Sequence, residues 1–322
     1  LPGNERFLLR YWITDPRVKE LNFYWNQKQD SVIISVPEDH QPTDSLEVII
    51  GEGENSIPEG SYTFEIVSSD GGNLSSIPFE VLVNVYGQNF ASTIINRTVS
   101  NAEYSSENNQ VNIDWGDPAS SSEMGIEITY YEEETKEVLT MTTNEVGNQT
   151  ILENVNLDKG VSYRTIFLPE PNAIDTFFTE SVSLIIKQNV SLNKPVTTSS
   201  ILREGFEGSK AVDGIISTAS RWITSSEAGI EHWLEIDLEQ EYTLHSFKIF
   251  KNLYGDYFIP HFNFQAEING EWVNISEVTN HFDGVYEEIF SEEVTTSKVR
   301  FFVPEYENNM VRLMEIEVNA KR

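Results

Sequence analysis

The chain has 322 residues, room for two or three domains of ordinary size, and its 39% hydrophobic and 23% charged residues mark it as globular rather than disordered. Lys and Arg number 21 against 52 Asp and Glu; the formal net charge of -31 repels phosphate backbones and anionic headgroups and argues against nucleic acid as a partner. With no cysteine in the chain, disulfide frameworks, thiol catalysis and cysteine-ligated zinc are excluded, while neutral or cationic partners and hard cations such as calcium remain.

Short strands dominate from the N-terminus onward. Residues 31–36, 61–67 and 79–85 alternate apolar and polar side chains between Pro, Gly, Asn and Asp, the pattern of half-buried strands. No segment keeps the apolar period of an amphipathic helix over three turns, and no apolar run is long enough to span a bilayer. The first two-thirds also holds a degenerate repeat. Trp12, Asp15-Pro16 and the strand 21–25 are answered by Trp115, Asp117-Pro118 and the strand 125–131, and the Gly60, Tyr62 pair by Gly160 and Tyr163. A Trp between sheets, an Asp-Pro turn and a Tyr whose hydroxyl ties down a corner are the parts of a small immunoglobulin-like sandwich. The expected order is one sandwich over 1–95, a second over 96–188 and a third unit over 189–322. Trp12, Trp25 and Trp115 are assigned to cores rather than to ligand platforms.

The N-terminal half resembles a module of secreted proteins from glycan-degrading bacteria known only as a domain of unknown function. The resemblance rests on PGNER at 2–6, Asp15-Pro16, Tyr24-Trp25-Asn26, Asp30-Ser31-Val32, PEGSYTFE at 58–65 and Val85-Tyr86-Gly87, and it covers roughly residues 1–187. It implies no activity. It implies two Ig/fibronectin III-like sandwiches, as in surface glycan-binding lipoproteins, with a leader and an anchoring cysteine upstream of Leu1.

After residue 187 the pattern changes. A Ser/Thr-rich extended stretch over 190–200 precedes a tight turn, AVDG at 211–214. Alternating strands at 232–238 and 242–250, a hairpin turned by Asn269-Gly270, and strands at 298–303 and 314–318 complete an antiparallel sandwich or jelly roll. These residues resemble the discoidin, or coagulation-factor (F5/8) type C, family, which includes the family 32 carbohydrate-binding modules. The matching elements are VSLNKP at 190–195, KAVDG at 210–214, Arg221-Trp222, WLEIDL at 233–238, FNFQ at 262–265, Gly270-Glu271-Trp272, Val299-Arg300-Phe301 and MEIEV at 314–318. The resemblance implies an all-β chain ending in a discoidin-like β-sandwich. It also implies one structural calcium between the Asp-Gly turn and the last strand, held by the Lys210 carbonyl, the Asp213 carboxylate, an oxygen at Ser217 or Thr218, and Glu315. Ile215 departs from the family, where Asp or Asn commonly follows the glycine. The alternative is an Asp213 that caps its own turn.

In the family, sugar sites lie on variable loops near the calcium, where rings face sugar C–H groups and polar side chains read hydroxyls. Candidate ligand residues are Arg203 and Phe206 in one loop, Asn252, Tyr254, Asp256 and Tyr257 in a second, and Tyr306, Asn308 and Asn309 in a third. Trp222, Trp233 and Trp272 are assigned to the core. No catalytic motif appears: the histidines lack zinc-protease spacing, there is no Gly-x-Ser-x-Gly elbow, and with 52 acids any carboxylate pair is too easily nominated to count. The expected function is a non-catalytic, monomeric glycan-binding protein that takes an oligo- or polysaccharide. Its expected place is the extracellular face of a bacterial outer membrane, as a lipoprotein beside other glycan-uptake proteins, or secreted. Rival readings are an adhesin or assembly component using the same loops, and a fragment of an enzyme whose catalytic domain lies elsewhere in the gene.

Overall fold

A computed structural model describes residues 1–143, 148–226, 231–252, 259–304 and 310–322. The first strands are β1 (Phe7–Tyr11), β2 (Glu20–Trp25), β3 (Asp30–Ser35), β4 (Leu46–Ile50), β5 (Gly60–Ser69) and β6 (Phe79–Val85). They form a two-stranded sheet, β1-β4, and a four-stranded sheet, β3-β2-β5-β6. The two-residue period of these strands turns Phe7, Phe23, Phe64 and Val83 inward around Ile50 and Ile57. Trp25 packs against this core, its ring 5.3 Å from that of Phe64. Trp12 does not. Phe7, Leu9 and Tyr11 take the inward parity of β1, so the next residue faces out, and Trp12 is 56% exposed. The Tyr62 hydroxyl donates to the Pro58 carbonyl at 2.8 Å and ties down its corner.

A short helix, α1 (Gln88–Thr93), leads to β7 (Val99–Ser105), β8 (Gln110–Trp115), β9 (Glu123–Glu132), β10 (Glu137–Thr143), β11 (Gln149–Glu153), β12 (Val161–Phe167), β13 (Phe177–Phe178) and β14 (Val182–Ser183). The order β10-β9-β12-β13, with β14 also on β12, makes one layer, and β11-β8-β7 the other. Val111, Ile113, Ile126, Ile128 and Leu152 fill the space between them with Trp115, whose ring nitrogen donates to Thr150 Oγ1 at 2.9 Å. The Tyr163 hydroxyl donates to the Arg97 carbonyl at 3.0 Å, the second corner the sequence suggests.

The remaining strands are β15 (Lys187–Asn189), β16 (Val196–Thr198), β17 (Trp222–Ile223), β18 (His232–Lys251), β19 (Phe262–Ile268), β20 (Glu271–Val278), β21 (Val285–Val303) and β22 (Arg312–Lys321). Both long strands serve two layers. The first half of β18 pairs with β16 and with the end of β21, which continues into β19-β20; its second half pairs with β22 and the start of β21. The register shift between Asp237 and Tyr242, where Glu239 takes a φ of 67°, carries β18 from one layer to the other. Trp222, Phe247, Phe264 and Phe301 lie in the core between the layers. Asn269 and Gly270, with φ of 54° and 82°, make the hairpin turn from β19 to β20 that their sequence predicts. Trp233 and Trp272 differ from their assignment to the core. They share the parity of Glu235 and Asn274, opposite to Leu234 and Ala266, and are half-buried on the outer surface of the layer.

The three cores are joined by ordered contacts. Asp175 accepts two hydrogen bonds from the Arg6 guanidinium, at 2.9 and 2.6 Å, and one from the Asn4 amide; Asn84 and Tyr86 both donate to Glu170. Between the second and third sandwiches the backbone ladder itself is continuous: β15 pairs parallel with β7 on one side and antiparallel with β22 on the other. Arg322 exchanges backbone hydrogen bonds with Ile186, and its guanidinium reaches Gln188 and Asp158.

Candidate functional site

At one end of the third sandwich the segment 201–208, strand β17, the start of β22 and the end of β18 run side by side. Leu202 donates to the Ile223 carbonyl and Ile223 to that of Phe206, Ile223 is in register with Arg312, and Asn252 donates to the Arg312 carbonyl at 3.0 Å. This brings three candidate ligand residues, Arg203, Phe206 and Asn252, to the same end. Arg203 is exposed and Phe206 half-buried, while Asn252 is only 7% exposed, a wall residue rather than a tip. Tyr254, Asp256, Tyr257, Tyr306, Asn308 and Asn309 lie outside the described residues.

The Phe206 ring carries two guanidiniums, Arg203 at 5.4 Å and Arg221 at 5.2 Å from its centre. Cation–π attraction of this kind holds the arginines near the ring. The Arg221 Nε is buried, with no hydrogen-bond partner among the described residues. Beside Arg203, Gly205 takes a φ of 92° and donates its N–H to Glu207 Oε1 at 2.7 Å, which holds that carboxyl below its usual range.

Under the same end sits Lys251, 2% exposed. Its ammonium donates to the Ile259 carbonyl at 3.2 Å, the His281 carbonyl at 2.8 Å and His281 Nδ1 at 2.9 Å, and lies over the Phe262 ring. Burial pulls its pKa down to about 8, against a weaker opposing pull from Asp283. Sequence reading gave neither Arg221 nor Lys251 a role. Lys251 was signalled by the parity of its strand, continuing the inward series Phe247, Ile249, whereas Arg221 lies just before β17, where no strand parity reports it.

Of the residues implied for calcium, Asp213 and Glu315 come together at the Asp213-Gly214 turn, where Gly214 has a φ of 76°. Asp213 Oδ1 accepts the Ile215 amide at 3.0 Å, its Oδ2 accepts the Ser220 hydroxyl, and the Lys210 ammonium stands 3.9 Å away. Asp213 therefore does cap its own turn. Glu315, fully buried on β22, accepts the Gly214 amide at 3.1 Å through Oε1, but its buried Oε2 has no partner among the described residues. Desolvation pushes this carboxyl up to about 8, with the Asp213 charge adding to the shift. A buried carboxylate oxygen left over beside a second carboxylate is where a cation would compensate both, so Asp213 and Glu315 fit the ion. Thr218 is exposed on the next turn, which Ser220 closes by donating its amide to the Ser217 carbonyl. Among the described residues no cluster of three or more His, Cys, Asp or Glu is arranged as a metal site, so the further oxygens would be carbonyls and hydroxyls.

A family model described as a domain of unknown function (DUF4998) matches residues 1–177, and a model of the F5/8 type C domain matches residues 195–316. Among solved structures, chitosan-binding module 1 of a chitosanase/glucanase from Paenibacillus sp. IK-5 is 27% identical, covering 40% of this chain and 97% of that one, with a TM-score of 0.35. A fucose-binding module of Streptococcus pneumoniae is 21% identical over 40% of this chain and 96% of its own, with a TM-score of 0.36. The family 32 carbohydrate-binding module of C. perfringens NanJ, solved with galactose, is 18% identical over 39% of this chain and 93% of its own, with a TM-score of 0.36. No curated protein matches the chain.

Proposed function

We propose that this chain, which belongs to the DUF4998 family through residues 1–177 and carries an F5/8 type C domain over 195–316, is a non-catalytic glycan-binding protein. One observation supports it: the matched F5/8 type C sandwich gathers Arg203, Phe206, Arg221 and Asn252 at one end. Guanidinium and amide groups there read sugar oxygens. A single module of this sort binds with Kd on the order of millimolar to micromolar, roughly -4 to -8 kcal/mol.

Calcium belongs to the same proposal. Asp213, Glu315 and the Lys210 carbonyl would hold it, and bound there it would neutralise the spare Glu315 oxygen and fix the turn. In this reading the two N-terminal sandwiches are spacers that carry the module away from an outer-membrane surface to which the chain is tethered by lipid. The test is a glycan array with the whole chain, with and without chelator, together with Arg203→Ala, Tyr254→Ala and Tyr257→Ala. Binding to a glycan that these changes weaken supports the reading; a chain that binds no glycan refutes it.

One observation favours the second reading, an assembly component. Phe79 and Leu82 on β6, at the edge of the four-stranded sheet of the first sandwich, and Ile77 just before it are exposed. Such an edge invites a protein partner. Capture of a partner protein lost on Phe79→Lys, with no glycan bound, would select it.

A further inference from the structure

Resting on the glycan-binding reading, we infer that the glycan is acidic, and that the Arg203 and Arg221 guanidiniums over the Phe206 ring take a carboxylate or sulfate borne by the sugar. Acids outnumber bases 52 to 21, so a guanidinium meets a carboxylate almost wherever it stands. Arg6, Arg10, Arg17, Arg97, Arg164, Arg300 and Arg322 each pair with one. Arg203 and Arg221 pair with none among the described residues, although Glu204 and Glu207 lie within a few positions. The Glu207 carboxylate instead accepts the Gly205 amide and forms no ion pair with either arginine among the described residues.

Two like charges nevertheless converge on one ring, at 5.4 and 5.2 Å from the centre of Phe206. The ring attracts each cation but does nothing to offset their mutual repulsion. The Nε of Arg221 is in addition a buried donor with no acceptor among the described residues, so its desolvation is uncompensated by them. A neutral hydroxyl would accept the hydrogen bond and leave the charges uncompensated. A planar carboxylate or a sulfate ester satisfies both, because the guanidinium fork matches two oxygens at once. Phe206 then serves to hold the two cations rather than to stack a sugar ring. The negative charge of the whole chain repels a distant polyanion, but that repulsion is screened beyond about 8 Å at physiological salt, well short of the protein's dimensions, while the paired contact is local.

The whole chain is screened on an array in which carboxylated polysaccharides stand beside their carboxyl-reduced forms and sulfated ones beside their desulfated forms. The expected result is binding to an acidic member, weakened at least tenfold by neutralisation; the pair that responds distinguishes carboxylate from sulfate. Arg203→Gln and Arg221→Gln, each checked for unchanged melting, lower affinity for that acidic glycan by roughly ten- to a hundredfold, the range for a charge-assisted hydrogen bond, and Arg221→Lys restores part of it. Binding confined to neutral glycans, or unchanged by neutralisation or by the arginine substitutions, overturns the acidic class and leaves glycan binding standing. Failure to bind any glycan overturns both.

Discussion

Replacing Lys251 by methionine removes a buried charge and the three hydrogen bonds it donates, and the two losses oppose one another. The methionine fills nearly the same volume, so packing is preserved. The folded pKa of about 8, against an ordinary value of 10.5, corresponds to about 3 kcal/mol held against the charged form. Because the unfolded chain binds the proton more tightly, the unfolded state carries more protons between these two values, and wild-type stability rises as pH climbs from about 8 to 10.5. Below about 8 the lysine is charged in both states and the full penalty is felt. The substitution relieves it but leaves the Ile259 and His281 carbonyls and His281 Nδ1 without their donor, at about 1–3 kcal/mol for each buried acceptor. The net effect at neutral pH is therefore small or destabilising. The difference between wild type and variant, measured by urea unfolding from pH 7.5 to 10.5, must nevertheless shift by up to about 3 kcal/mol in favour of the wild type. Neighbouring groups do not mimic this: burial and the Lys251 charge lower the His281 pKa below its ordinary 6.5, and Tyr286 is pushed up to about 12. A difference that stays flat over the window would show that the lysine titrates as it does in water.

Calcium should raise the melting temperature, more at pH 8 than at pH 5, because the Glu315 carboxyl, pushed up to about 8, must lose its proton to bind the ion. In the chelated protein the sign reverses: the folded state holds that proton longer, so stability falls as pH rises from about 4.5 to 8, and Glu315→Gln should abolish both effects in a calorimetric series. Tyr163→Phe deletes the hydrogen bond to the Arg97 carbonyl and should cost about 1–2 kcal/mol in chemical unfolding, with the carbonyl left buried. Gly270→Val places a β-branched residue at a φ of 82° and should cost on the order of 1–3 kcal/mol even though its side chain would meet no neighbour; an unchanged midpoint would mean the hairpin turn relaxes.

Much of the architecture is legible in the sequence because period-two alternation is a local signal. The 233–238 strand, the Asn269-Gly270 turn and the corner tyrosines all follow from residues a few positions apart. Errors arose where local identity outweighed parity. A tryptophan reads as core, yet Trp12, Trp233 and Trp272 stand on the outward phase of their strands, where neighbouring side chains leave them partly or largely in solvent. The site is less legible still. Phe206, Arg221 and Asn252 come to one end only through the pairing of β17 with β22 and the backbone bonds of Ile223 and Asn252, and no spacing along the chain reports that Glu315 Oε2 has no donor among the described residues. Asp213 was readable both as turn cap and as metal ligand, and it makes the cap contacts while keeping its carboxylate beside Glu315.

A polymer held at the far end of the third sandwich would drag on it whenever the surrounding fluid moves. That tension enters the second sandwich at β15, where residues 187–189 are bonded to a strand on each side. Swivelling there means tearing rungs on one flank or the other, not rotating a few loose bonds, and Arg322 clamps the same point from the C-terminus. The joint therefore behaves as a weld: load is shared across a ladder, and the orientation of the captured sugar is set by the body of the protein instead of by the current.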